Sequence, residues 1–90
     1  MEISDDVVEQ TGQALDNIAA VLVEAGCSLD DVLRVIYMMV VEKNFERIVP
    51  VIGRRFTVAR PAATAIVAKL VDPRIRVEIE VMVWLPAGAR

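Results

Sequence analysis

Glu78 and Glu80 stand two residues apart in the stretch RVEIEVMVWL (residues 76–85), with Arg76 just before them and Met82 and Trp84 on the same parity. Alternate residues of a strand share one face, so this face opens with three charges and closes on a Met and a Trp. Carboxylates beside an arginine can hold and move protons in a closed cleft, or can serve as ion-paired charges at an interface. The opposite parity, Val77, Ile79, Val81, Val83 and Leu85, is uniformly apolar and belongs against a core.

Other chemistry is removed by what the chain lacks. It contains no histidine, which rules out a Ser-His-Asp or Cys-His pair, a histidine base and a histidine metal site. Cys27 is alone, so one chain can form neither a disulfide nor a thiolate cluster. Neither a metal nor an organic cofactor is expected. The net charge of -3, without a basic cluster, argues against nucleic acid as a partner. The longest uncharged apolar run, Val35 to Val41, falls far short of the ~20 residues a membrane-spanning helix needs. The acidic start MEISDD is unlike a secretory signal, and the expected location is cytoplasmic.

These residues need elements to position them. Ser4 is placed to cap a first helix over residues 5–25, with Val7, Val8, Thr11, Leu15, Ile18 and Leu22 recurring at three- and four-residue spacing and Gly26 closing it. VLRVIYMMVV (32–41) reads as a strand covered on both sides. Asn44 is placed to cap a second helix whose buried stripe is Phe45, Ile48, Ile52 and Phe56. Pro50 either kinks that helix or starts it. AATAIVAKL (62–70) reads as a further strand, and the turn Val71-Asp72-Pro73 predicts that it pairs as a hairpin with 76–85. The resulting class is α+β, a small mixed sheet with two helices packed on one face. Ninety residues make one domain over 1–90, yet a chain that is 56% hydrophobic with a mean hydropathy of +0.49 carries more apolar surface than a small domain can hide. The excess predicts a partner chain over the Met82/Trp84 face.

In order, ALDNIAAVLVEAGCSLDDVLRV, NF, RPAATAIVAKL and VEIEV resemble the Rid family of reactive-intermediate (enamine/imine) deaminases, the YjgF-like proteins long labelled endoribonuclease L-PSP. The resemblance runs from about Val8 to Trp84. It implies a chorismate-mutase-like fold and a homotrimer, in which three sheets form an inner barrel with ligand pockets between subunits. The ligand it implies is a small carboxylate metabolite. Glu78 is the family position that activates water, and Ala63, Thr64 and Ala65 are the ligand-binding positions, joined by Arg76, whose plainer role is ion-pair neighbour of Glu78.

The chain departs from the family pattern in two ways. The N-terminal hairpin usual in the family has no counterpart before the first helix, and the pattern RPAR-[ST] reads Arg60-Pro61-Ala62-Ala63-Thr64, with Ala63 in place of the pocket arginine. A guanidinium grips a carboxylate through two parallel hydrogen bonds, and losing such a desolvated partner costs ~2–5 kcal/mol of binding. Ala65 replaces a frequent Cys and Val49 an occasional Asn. Of the cations nearby, Arg60 lies on the other parity and Lys69 about 20 Å along the strand. Two functions follow: an imine deaminase hydrolysing small 2-imino acids to 2-keto acids and ammonia, or a non-catalytic binding or assembly protein on the same scaffold.

Overall fold

The computed structural model describes residues 3–85. Its elements run α1 (Val7–Glu24), a short 3₁₀ turn (Leu29–Asp31), β1 (Val32–Met39), α2 (Asn44–Arg55), β2 (Ala62–Val67) and β3 (Val77–Val83). Asp6, not Ser4, caps α1, its Oδ1 accepting from the Val8 N–H at 2.9 Å. Ser4 instead accepts from the Asp6 N–H and donates to Glu9, bracing the cap from outside. At the other end Gly26 adopts φ 85, while its N–H and that of Cys27 reach back to Val23 and Leu22. That pair of bonds is the helix stop glycine supplies at least cost.

The sheet order is β2-β1-β3, with β1 parallel to β2 and antiparallel to β3. The predicted hairpin between 62–70 and 76–85 is therefore absent: β2 ends at Val67, and β1 lies between the two strands. The physical reason lies in β1, whose large side chains Val35, Tyr37 and Met39 bury more apolar surface in the central place than the small residues of β2 could. α2 is then the crossover that a parallel β1–β2 pair requires. Val35, Tyr37 and Met39 of β1 are almost wholly buried, and with Val7, Leu15, Leu22, Ile48, Val51, Phe56 and Val77 they make the core. A bulge at Leu33 lets Val32 and Val35, three apart, both face that core and turns Leu33 outward.

α2 starts at Asn44 rather than being capped by it, Lys43 standing at the cap without a side-chain bond. Pro50 sits inside it, so the helix does not begin at the proline, and the Glu46 carbonyl loses its usual donor. Ile48, Val51 and Phe56 are buried and Phe45 and Ile52 pack beside them. In the turn before β3, Arg74 hydrogen-bonds the Asp72 carboxylate and holds its pKa down to about 2.

Tyr37 packs edge-on against Phe45, ring centroids 6.3 Å apart, and burial pushes its phenol up to about 12. Because the ionised form is favoured in the unfolded chain, the stabilisation is complete below pH ~10 and is lost as pH rises through 12. Urea unfolding from pH 9 to 12 should show a decline that the Tyr37→Phe protein lacks. Parallel decline in both proteins would remove Tyr37 as its cause.

Candidate functional site

Cross-strand register sorts the sheet residues into two faces. On the helix side run the rows Ala63–Val35–Val81, Ala65–Tyr37–Ile79 and Val67–Met39–Val77. On the other side run Ala62–Arg34–Met82, Thr64–Ile36–Glu80 and Ile66–Met38–Glu78. No helix covers this second face. Glu78 and Glu80 are both exposed on it, flanked by Ile36, Met38 and Ile66, and Arg34 donates to the Thr64 hydroxyl at 2.7 Å across its upper end. The arrangement is an apolar strip with carboxylates along one side and a guanidinium at one end. Met82 is 61% exposed at its border.

The candidate residues do not converge within one chain. Glu78 and Thr64 share the open face, with β1 between them and a two-residue offset. Ala63 and Ala65 lie on the opposite face. Arg76 falls just before β3; its backbone N–H donates to Gln10 Oε1 at 2.7 Å and the main chain there is fixed, while no ion pair within 4.0 Å joins it to Glu78 among the described residues. Lys69 lies beyond the end of β2. A pocket holding both Glu78 and Ala63 thus requires two chains.

β2 carries a second message. Although apolar apart from Thr64, it contributes nothing to the core: Ile66 is 43% exposed on one face and Val67 57% on the other. The helix layer reaches β1 and β3 and stops there. Among the described residues no group of His, Cys, Asp and Glu could hold a metal ion, and no helix is long and apolar enough to cross a membrane.

One structural residue was not legible in the sequence as such. Gln10 is buried on the α1 stripe, its Nε2 donating to the carbonyls of Ser4 at 2.6 Å and Arg74 at 2.8 Å. With the Arg76 bond it ties the helix start to the entry of β3. The available signal was a polar residue at an apolar-stripe position, three after Val7 and five before Leu15.

The family model for Endoribonuclease L-PSP matches residues 1–85 of the chain. The chain belongs to that family. A RutC family protein of Pyrococcus horikoshii is 30% identical over 82 residues, spanning 91% of this chain and 65% of the relative, so the chain covers about two thirds of the relative's length. Among solved structures, a member of the YjgF/YER057c/UK114 family from Mycobacterium tuberculosis superposes with a TM-score of 0.87 at 29% identity, over 91% of this chain and 70% of the other. A YjgF family member from Neisseria meningitidis gives 0.86 at 27% identity, over 96% and 74%. The architecture of this L-PSP family chain is accordingly the small mixed α+β, chorismate-mutase-like fold expected from its motifs.

Proposed function

We propose that the L-PSP family chain works as a homotrimer, with its open sheet faces turned toward one another, and that Glu78 assists hydrolysis of small 2-imino acids in a cleft completed by a neighbouring copy. The observation that supports assembly is β2, an apolar strand bare on both faces with Ile66 and Val67 half exposed. A neighbouring copy packed on the open face would cover Ile66 in the row it shares with Met38 and Glu78.

In that cleft water attacks the imine carbon of the protonated substrate while Glu78 accepts a proton from it. Glu78 then returns that proton to the amino nitrogen of the carbinolamine, the C–N bond breaks as ammonia leaves, and the hydroxyl gives its proton back to the Glu78 carboxylate as the carbonyl forms, leaving a 2-keto acid. No metal or organic cofactor enters this sequence. Thr64 and Arg76 are the polar members of the ligand side, since Ala63 and Ala65 supply no charge.

A second reading rests on those two alanines. Without a guanidinium at residue 63 or a thiol at 65, the scaffold would retain assembly and small-acid binding but not turnover. Freshly generated 2-iminobutyrate separates the two. Deaminase action predicts keto-acid release above the buffer rate that falls about 10²-fold or more in the Glu78→Gln protein. Release equal to buffer from an assembled protein would eliminate deamination of this substrate class and leave the non-catalytic function.

A further inference from the structure

The sheet has two outer edges, and the parity of its hydrogen bonds fixes what each edge offers. The Val40 N–H donates to the Arg76 carbonyl and the Ala68 N–H to the Met39 carbonyl. Carried along the two registers, these bonds turn the main-chain groups of Glu78, Glu80 and Met82, and those of Ala62, Thr64 and Ile66, inward to β1. The N–H and C=O groups of Ile79, Val81 and Val83 on β3, and of Ala63, Ala65 and Val67 on β2, therefore point outward. No strand among the described residues pairs with either row.

The two edges differ in what lies above them. Between α1 and β3 is a hollow of about 370 Å³, lined by Asn17, Ile18, Val21, Leu22, Val81 and Val83. None of these belongs to β1 or α2, so the hollow opens on the outer side of α1, where Val21 is 64% exposed. β2 is its converse: a strand with no helix above it, small residues Ala63 and Ala65 on its helix-side face, and no charge along its length. Such a strand fits beneath a helix that overhangs an apolar hollow, whereas two β3 edges brought together would set one α1 against the other.

We propose that β2 of one copy pairs antiparallel with β3 of the next around a closed ring of three, and that this seam completes the cleft at Glu78. The inference rests on the trimer reading and adds to it the contact that closes the ring. Within a chain β2 and β3 run in opposite directions, and a rotation about an axis along the strands keeps those directions, so the two edges meet antiparallel. Only antiparallel pairing sets outward-bonding residues opposite one another while keeping helix side on helix side and open side on open side. Closure of the ring leaves neither edge exposed. Ile3 and Ser4 border the start of β3 beside Val77, which leaves Ile79, Val81 and Val83 for the neighbour's Val67, Ala65 and Ala63. On the open face the same register sets the neighbour's Ile66 beside Glu80, diagonal to Glu78, and its Thr64 beside Met82. The carboxylate side of β3, which has β1 alone beside it in one chain, gains its second wall.

Paired cysteines test the seam in the full chain, with Cys27 replaced by serine. Thr64→Cys and Met82→Cys in one chain lie on strands separated by β1, two spacings of about 4.8 Å apart and in different rows, beyond the ~7 Å Cα limit of a disulfide. Any bond between them therefore joins two chains. Mild oxidation at micromolar concentration should give covalent dimers and trimers on a denaturing, non-reducing gel, while either cysteine alone gives single chains. Ala65→Pro removes one outward N–H and leaves the β1 ladder whole, so it should reduce the particle to single chains in light scattering with unchanged circular dichroism. If that protein loses its fold, the cysteine result alone decides. A trimer in light scattering whose double-cysteine form stays unlinked, or that survives Ala65→Pro, overturns the seam and leaves the trimer reading intact. Dimers from Met82→Cys alone would show β3 pairing with itself and overturn the seam as well. Single chains from the parent protein at the same concentration overturn the trimer reading and the seam together.

Discussion

Replacing Gln10 with alanine is expected to destabilise the folded chain by about 3 kcal/mol. The side chain makes three hydrogen bonds, donating to the Ser4 and Arg74 carbonyls and accepting from the Arg76 N–H at 2.6–2.8 Å, in a place only 9% exposed. Each bond contributes ~1 kcal/mol net, and the three together account for the loss. For a domain of this size the loss corresponds to a fall in Tm of ~12–24 °C, measured at one fixed protein concentration so that self-association does not alter the comparison. Gln10→Glu separates bonding from packing. Its carboxylate would face two carbonyl oxygens, so its folded pKa is raised and stability should be poor at pH 7 and recover as the pH falls and the carboxyl is protonated. A fall of under 1 kcal/mol for Gln10→Ala would mean that the bonds are not maintained in solution.

That residue marks the boundary of what the sequence made legible. Spacing found α1 through Val7, Thr11, Leu15 and Leu22, and alternation found β3, because these patterns state which side chains share a face before any partner is known. The cap slipped from Ser4 to Asp6, since either side chain can take a helix N–H and the choice depends on where Val7 must pack. Strand order was not legible. The turn at Val71-Asp72-Pro73 is a local signal for pairing β2 with β3, whereas the winner was the non-local advantage of centring Val35, Tyr37 and Met39 between two neighbours. Gln10 was invisible for the same reason: its partners, Arg74 and Arg76, lie more than sixty residues away. The open carboxylate face was readable from parity alone. The placement of Ala63 and Ala65 on the opposite face was not, because it depends on which strand β2 joins and in which direction.

The largest effect on assembly is expected from Ile66→Glu, which should convert a particle of three 9.9 kDa chains into single folded chains at micromolar concentration. Ile66 occupies the row Ile66–Met38–Glu78 on the open face and is 43% exposed in one chain, so a glutamate there meets water in the monomer and leaves the core untouched. In an interface between open faces the same carboxylate would lose its hydration next to an existing acidic edge. Burying an unpaired charge costs several kcal/mol, and three copies incur it together, so dissociation should strengthen by a factor of 10³ or more. Val58→Glu is the control, since Val58 is 70% exposed in the loop before β2, away from both sheet faces. Light scattering coupled to size exclusion should give the trimeric mass for the parent and Val58→Glu chains and the monomeric mass for Ile66→Glu, with unchanged circular dichroism. A trimer that survives Ile66→Glu would place the contact elsewhere, and Val67→Glu, on the helix side of the same strand, would then identify the other face of β2 as the one that is covered.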